Sequence, residues 1–211
     1  MVTVRILGID PGSRLTGFGC IDLVGNQLVH VAHGTLRLSN TGGKAVIPLE
    51  QRLHSIHLGL TDVIAAHRPR IMVVEKVFFA KNAVSALKLG QARGAVILSG
   101  MIHGLEIVEY SPSEVKQTVV GQGHADKEQV AKMVERLIGK REFATADASD
   151  ALALAICHAY RATLVATRGV EFARALGAAS GQRSKRRASL AEALGVTPES
   201  VAGQKRVRLR T

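Results

Sequence analysis

Residues 7–19 read LGIDPGSRLTGFG, in which an aspartate ends a short apolar run and a turn of small residues follows it. Asp-Pro-Gly is favourable turn chemistry, because Pro11 fixes φ, Gly12 accepts positive φ and an aspartate can bond the backbone two residues on. Asp10 therefore fits an ordinary turn. Whether it also has a chemical role depends on which other acidic residues the fold places beside it.

Three runs rich in β-forming residues start the chain: residues 2–9, 17–23 and 27–38. Short Gly/Pro and Gly-Asn turns join them, which favours an antiparallel meander. A helical pattern over 49–66 follows, and then a wholly apolar run over 71–74 that ends on Glu75. Because uninterrupted apolar strands are typical of parallel positions buried on both faces, we expect this strand to lie beside the first.

Residues 82–103 predict a long helix that is apolar on nearly every side, with Gly90 and Gly94 permitting close backbone approach. Such a helix needs a second surface to pack against, and a chain of this size is too small to wrap it. We therefore expect this helix to form the interface of a homodimer.

The remaining elements complete an α/β domain. A strand is predicted over 106–110, and the next helix begins at Ser111, where Ser-Pro-Ser-Glu forms a capping box with proline at the first helical position. Helical spacing resumes over 127–137, and a last helix begins near Thr145. This order predicts one mixed five-stranded sheet flanked by helices.

Charge is unevenly distributed along the 211 residues, whose net charge is +11. Residues 1–160 carry 17 Lys and Arg against 14 Asp and Glu, whereas residues 161–211 carry 11 against 3. The C-terminal part therefore attracts polyanions, and DNA or RNA is the natural partner, although basic tails also serve only to keep proteins soluble.

Other features favour a globular protein of a reducing compartment. Hydrophobic residues make up 46% of the chain, which suits a packed core. No apolar run approaches the ~18 residues of a membrane helix, and Asp10 comes too early for a signal peptide. Cys20 and Cys157 have no metal-binding spacing, so we expect a cytosolic protein without membrane contact whose cysteines are core residues.

Four acidic residues lie where such a fold assembles a site. Asp10 and Glu75 end two neighbouring strands, and ligand sites in such sheets lie beyond the carboxyl ends of the strands. Asp147 and Asp150 share one face at the start of the last helix, where the helix dipole favours anions. Singly, each residue fits a turn or a helix cap, but together they predict a cluster of carboxylates.

A cluster of carboxylates repels itself and takes up protons unless cations relieve it. Oxygen ligands without Cys or His favour Mg²⁺ or Mn²⁺ over Zn²⁺. Two such ions ~3.5–4 Å apart can activate a water and stabilise the leaving oxygen of a phosphodiester. The carboxylates therefore predict metal-dependent hydrolysis of a nucleic-acid backbone.

Four segments carry these residues in chain order: ILGIDPGSRLTGFG, VVEKVFFAKNAVSALKLGQARGA, VKQTVVGQGHADKEQV and ADASDALALAICH. Together they closely resemble the RuvC family of bacterial Holliday junction resolvases, and the likeness spans about residues 3–165. The resemblance implies a ribonuclease H-like fold, a homodimer, two Mg²⁺ ions per site that Mn²⁺ can replace, and a cytoplasmic location. It also implies paired symmetric nicks at the crossover of a four-way DNA junction, in homologous recombination and DNA repair. The implied protein partners are the branch-migration proteins RuvA and RuvB.

The resemblance assigns roles to particular acids. The family's catalytic and metal-binding acids match four residues of this chain: Asp10, Glu75, Asp147 and Asp150. Some members carry histidine at the place of Asp147, so its separate role stays open. The likeness also divides the chain into a nuclease domain over 1–165 and a basic C-terminal extension over 166–211, which we expect to be largely flexible.

The same resemblance predicts residues that hold DNA. Phe78 matches a family position that wedges against bases at the crossover, where stacking on an unpaired base contributes ~1–3 kcal/mol. Lys116 and Lys127 match lysines near the scissile backbone and suit phosphate as point charges. Lys81 and Arg93 are weaker candidates for DNA contact, and lysines at such positions also fit a solvated surface.

Three other functions are compatible with parts of the sequence. An ATPase of the actin and heat-shock type shares the DxGxxxxG turn, but it needs a second similar domain that 211 residues do not allow. A non-catalytic junction-binding module would not require the four acids. Another nuclease of the same fold, acting on RNA–DNA hybrids or in transposition, would not require the FFAKN and VKQTVVG segments.

Overall fold

The apolar runs near the N-terminus form the strands that the sequence predicts. Three of them pair antiparallel in chain order: β1 (Thr3–Asp10), β2 (Leu15–Val24) and β3 (Gln27–Arg37). β4 (Ile71–Glu75) lies parallel to β1, and β5 (Glu106–Tyr110) lies parallel to β4. The strand order β3-β2-β1-β4-β5 confirms the predicted mixed five-stranded sheet, with β1 at its centre.

The computed structural model describes residues 2–38, 47–76, 82–140, 143 and 145–165. Up to Thr163, these residues belong to one compact unit. Within the described ranges, no helix is both long and apolar enough to cross a membrane. The predicted extension over 166–211 lies outside the described residues, as do Phe78 and Lys81.

Both faces of the sheet are covered by the helices that the structure describes: α1 (Leu49–His67), α2 (Ala83–Ile102), α3 (Pro112–Val119), α4 (Lys127–Ile138) and α5 (residues 146–165). Successive residues of β1 show the division, since Ile6 packs with α3, α4 and α5, whereas Leu7 packs with α1 and α2. Cys157 is buried in the first cluster and Cys20 in the second, and both are free thiols. Burial on both faces explains why the inner strands are apolar without interruption.

Two glycines at the centre of the sheet let α5 approach closely. Gly8 and Gly19 face each other across β1 and β2. A Cβ atom at Gly8 would lie 1.9 Å from the carbonyl oxygen of Ala151, and one at Gly19 would lie 2.6 Å from Cγ of Leu152. A larger residue at either position would therefore push α5 away from the sheet.

The predicted capping box at the start of α3 is confirmed. The amide of Ser111 donates to Glu114 Oε2 at 2.8 Å, and the amide of Glu114 donates to Ser111 Oγ at 3.3 Å. Arg161 of α5 donates to the other carboxylate oxygen of Glu114 at 2.8 Å. The bond from the Ser111 backbone and the Arg161 contact lower the pKa of Glu114 to about 2. α5 therefore holds the first turn of α3 in place.

Candidate active site

Two acidic residues lie side by side at one edge of the sheet. Ile9 of β1 pairs in parallel register with Val74 of β4. Asp10 and Glu75 directly follow this pair and are the last residues of their strands. Both therefore occupy the edge at which neighbouring parallel strands end, as the sequence predicts.

The last helix begins at the same edge. Gly17 of β2 pairs with Asp10, and a Cβ atom at Gly17 would lie 2.1 Å from the carbonyl oxygen of Asp147. The hydroxyl groups of Thr35 and Thr145 share a hydrogen bond of 2.6 Å, which ties the residue before α5 to β3. The start of α5, with its two acids, is thus fixed against the strand opposite Asp10.

A cavity of about 300 Å³ opens at this edge. Its charged lining residues come from five different elements: Asp10, Glu75, Lys116, Lys127 and Asp150. Apolar residues of α3, α4 and α5 complete the lining. Asp147 does not line the cavity, although its charge acts on Asp10. Three of the four predicted acids therefore share one cavity, and the fourth is coupled to it electrostatically.

Burial and mutual repulsion disfavour the ionised form of these acids. Burial, with the charges of Glu75, Asp150 and Asp147, raises the pKa of Asp10 to about 8. The pKa of Glu75 is raised by burial first and then by the charge of Asp150. A cation bound among these carboxylates would offset the cost of their charge.

Lys127 supplies positive charge inside the cavity. Its Nζ atom lies 2.8 Å from Oδ2 of Asp150, and this hydrogen bond raises the pKa of the lysine. The charge of Lys127 partly offsets the rise in the pKa of Asp10, and Lys127 and Lys116 do the same for Glu75. The two lysines predicted to contact DNA therefore line the cavity that holds the acids.

The donor atoms at this edge suit a hard divalent cation. The four acids offer carboxylate oxygens, which Mg²⁺ and Mn²⁺ prefer. In the part of the chain that the structure describes, no three Asp, Glu, His or Cys side chains stand in an arrangement that holds an ion. The pair between Lys127 and Asp150 engages one of the oxygens that an ion would need. The residue types therefore fit a metal, and Asp10, Glu75 and Asp150 are the cavity residues that would hold it.

The other predicted DNA contacts lie elsewhere. Arg93 of α2 pairs with Glu109 of β5 and does not line the cavity. Its charge is engaged within the protein, so its role in DNA binding stays a prediction that this placement does not support. The roles of Phe78 and Lys81 also stay predictions, because both residues lie outside the described ranges.

Residue patterns do not predict two features of this edge. One is the closeness of Gly17 to α5, for which the small residues of the Gly-Phe-Gly stretch are the available signal. The other is Gln117, whose Nε2 donates to the carbonyl oxygen of Gly121 at 2.9 Å and whose Oε1 accepts from the amide of Gly123 at 3.1 Å. Gln117 thereby braces the loop that leads from α3 to Lys127.

Comparison with known proteins identifies relatives of this chain. The family described as Crossover junction endodeoxyribonuclease RuvC matches residues 6–158. Proteins of that name from Geobacter metallireducens and Geobacter sulfurreducens are 57% and 54% identical to it over 156 and 161 residues. These matches cover 74% and 76% of this chain, and 92% and 95% of the two relatives.

Solved structures agree with the sequence matches. A structure described as T. thermophilus RuvC in complex with Holliday junction substrate has a TM-score of 0.69 and 32% identity, over 76% of this chain and 96% of its own. The yeast mitochondrial Holliday junction resolvase Ydc2 has a TM-score of 0.59 and 13% identity, over 79% of this chain and 82% of its own. At that identity, the second likeness shows the fold alone.

Proposed function

Because the chain belongs to the RuvC family of crossover junction endodeoxyribonucleases, we propose that its acidic cavity is the place where it cuts DNA. The fold is ribonuclease H-like, as the family resemblance implies. The protein is a nuclease that resolves four-way (Holliday) DNA junctions in recombination and repair. One observation carries the assignment of the site: Asp10, Glu75 and Asp150 reach one cavity from three separate elements.

The activity depends on a divalent metal. We propose two Mg²⁺ ions per site, replaceable by Mn²⁺, with four residues as their ligands: Asp10, Glu75, Asp147 and Asp150. Such ions activate a water and stabilise the leaving oxygen of a phosphodiester. Asp10 has to lose its proton to act as a ligand, and its pKa of about 8 therefore links ion binding to pH.

Lys116 and Lys127 are proposed to hold the phosphate that is cut. Both line the cavity beside the acids, and the side chain of Lys127 is 73% exposed, so it can meet a phosphate that enters from solvent. A lysine that moves from Asp150 to a phosphate keeps an anionic partner and leaves the carboxylate free to bind an ion. Phe78 is the proposed wedge against the bases, three residues after Glu75 in the chain.

We also propose that the outer face of α2 forms a homodimer interface. This face exposes four large apolar side chains at helical spacing: Val84, Leu87, Leu98 and Met101. Apart from the backbone of α2 itself, no atom of the described residues lies within 4 Å of the positions that Cβ atoms would take at Gly90 and Gly94, so a second helix can approach their backbones. Exposure of such a stripe of apolar side chains to water is energetically unfavourable and marks an interaction surface. A twofold dimer supplies the two active sites that paired symmetric nicks require.

The main alternative is a junction-binding module without catalytic activity. Such a module gains nothing from three partly buried acids in one cavity, which cost stability through mutual repulsion. The acidic cavity therefore favours the nuclease. RuvA and RuvB stay proposed partners on the family resemblance alone.

The proposed function is tested by mapping nicks on an immobile four-way junction and on a plain duplex of the same sequence. With Mg²⁺, we expect paired nicks at symmetric positions in two like-polarity strands of the junction, and none in the duplex. Replacing Mg²⁺ by EDTA should stop the reaction. Equal cutting of the duplex, or junction binding without nicks, would overturn the proposal.

A further inference from the structure

Two arginines at the edge that carries Asp10 have no acidic partner among the described residues. Arg14 lies in the turn between β1 and β2, Arg37 is the last residue of β3, and both are exposed. By contrast, three other arginines pair with acids: Arg5 with Asp22, Arg93 with Glu109 and Arg161 with Glu114. The unpaired charges of Arg14 and Arg37 are therefore available to a ligand.

The backbone holds these two arginines next to each other. Leu15, directly after Arg14, pairs with Arg37 across β2 and β3. The amide of Leu38, directly after Arg37, donates to the carbonyl oxygen of Arg14 at 2.9 Å. The two residues therefore place positive charge at neighbouring positions of one edge of the sheet, where a polyanion can contact both.

The turn that carries Arg14 is braced on both sides. Thr16 Oγ1 donates to the carbonyl oxygen of Gly12 at 3.0 Å, and Arg52 of α1 donates to the carbonyl oxygen of Ser13 at 3.3 Å. Together with the bond to Arg14, these contacts engage three successive carbonyl groups. A turn held in this way loses little backbone entropy when its arginine binds a ligand.

The register gives the distance between this pair and the acids. Asp10 pairs with Gly17, and Gly17 pairs with Thr35, so Arg37 is two strands across and two residues further along. At ~4.8 Å between strands and ~3.4 Å per residue, the Cα atoms of Asp10 and Arg37 lie roughly 12 Å apart. An extended arginine side chain can therefore reach a backbone phosphate that lies a few nucleotides away from the phosphate held at the active site beside Asp10.

We propose that Arg14 and Arg37 bind the phosphate backbone of the DNA strand that enters the active site. They lie on the β2–β3 side of Asp10, whereas Lys116 follows β5 in the chain and enters the cavity from the other side. The strand then crosses the edge of the sheet from β3 towards β5, with positive charge on both sides of acids that repel it. This inference rests on the proposed active site and adds the path of the DNA to it.

The variants Arg14→Ala and Arg37→Ala test this path, with Arg70→Ala as the matched control. Arg70 is exposed at the opposite edge of the sheet, directly before β4 begins. We expect Arg14→Ala and Arg37→Ala each to weaken binding to a four-way junction roughly tenfold. Each should also flatten the slope of log affinity against log salt by about 0.7–0.9. Arg70→Ala should cause neither change, and equal effects of all three variants would overturn the proposal.

A second measurement locates the contact on the DNA. Neutral methylphosphonate linkages, placed one at a time on either side of the cleavage position, remove single phosphate charges. The wild-type protein should lose affinity at particular linkages a few nucleotides from the cut, and Arg14→Ala or Arg37→Ala should show no further loss at those linkages. The proposal would be contradicted if the loss of affinity caused by the linkage and the loss caused by the arginine substitution add in full. A wild-type protein that binds but never nicks the junction contradicts the proposed function instead, so the two failures are distinguishable.

Discussion

Gly17 and Asp147 meet through their backbones, since the position that a Cβ atom of Gly17 would take lies 2.1 Å from the carbonyl oxygen of Asp147. Gly17 also pairs with Asp10 across β1 and β2. The residue opposite the first proposed metal ligand therefore sets the position of the helix that carries two others. The geometry of the site therefore depends on the absence of a Cβ atom at Gly17 as well as on the charged residues.

The variant Gly17→Ala should therefore lose most of its nicking activity. Backbone atoms cannot rotate away from the added methyl group, so the start of α5 moves, and Asp147 and Asp150 move with it. A displacement of about 1 Å in a catalytic group costs roughly 100-fold in rate. Single-turnover cleavage of a four-way junction measures this loss.

The control for this substitution is Gly59→Ala in α1. Its Cβ atom would meet the side-chain tip of Leu36 at 2.9 Å, which can rotate away, and alanine favours a helix more than glycine does. We expect Gly59→Ala to cut at close to the wild-type rate. Equal losses in the two variants would show that Gly17 has no special part in placing α5.

The raised pKa of Asp10 makes the stability of the protein depend on pH. The pKa of Asp10 is about 8 in the folded chain against an unperturbed value of 3.8. Protonated Asp10 therefore makes its full contribution to the stability of the folded state below pH 3.8. That contribution is lost as the pH rises through about 8. In EDTA, the Tm of Asp10→Asn should therefore exceed that of the wild type by an amount that increases as the pH rises from about 4 to about 8. Each 1 kcal/mol corresponds to ~2–4 °C in Tm.

Addition of Mg²⁺ provides the control for this prediction. An ion that binds the folded state at a hundredfold excess over its Kd stabilises it by about 2.7 kcal/mol. At pH values near the pKa of Asp10, Mg²⁺ should raise the Tm of the wild type by several degrees and change that of Asp10→Asn far less. A Tm difference that is constant with pH, or equal responses to Mg²⁺, would be inconsistent with a buried metal ligand at this position.

The variant Leu98→Glu should separate the proposed dimer. Leu98 is 60% exposed on the outer face of α2, and a carboxylate there would be buried without a partner in a helix–helix interface. Val29→Glu is the control, because Val29 is also exposed but lies on β3. Sedimentation should give one chain of 22.4 kDa for Leu98→Glu and two for the wild type and Val29→Glu. A wild type that sediments as a monomer would contradict the proposed interface.

The basic extension is predicted to increase affinity for DNA without selecting a sequence. Residues 179–211 carry eight Lys and Arg against two Asp and Glu. Truncation after residue 178 should leave the cleavage positions unchanged, weaken binding to junction and duplex alike, and flatten the salt dependence of both. Unchanged affinity and salt slope, with cutting uncoupled from RuvA and RuvB, would indicate a docking segment for those proteins instead.

The positions of Asp10 and Glu75 could be predicted because they follow from local patterns. Apolar runs identify the strands, and the ends of neighbouring parallel strands lie at one edge whatever the details of packing. The start of α5 was less constrained by sequence, since its place depends on the close approach at Gly17. Asp147 accordingly couples to Asp10 but does not line the cavity as Asp150 does.

Ion pairs between distant parts of the chain could not be predicted in the same way. Lys127 and Asp150 are 23 residues apart, and Arg93 and Glu109 are 16 apart, so neither pair follows from helical or strand spacing. The sequence gives a charge for Arg93 but not the partner that engages it. Long-range contacts of this kind depend on how two elements pack, which residue patterns leave undetermined.

The most direct test of the proposed active site measures cleavage and binding of a four-way junction by Asp10→Asn, Glu75→Gln and Asp150→Asn in Mg²⁺. Each variant loses a proposed ligand, so we expect nicking to be abolished. Each also removes negative charge beside DNA phosphates, so junction affinity should be equal to that of the wild type or higher. Nicking by Asp147→Asn should be impaired as well. An Asp10→Asn protein that nicks the junction at the wild-type rate would contradict the assignment of this cavity as a metal-dependent active site.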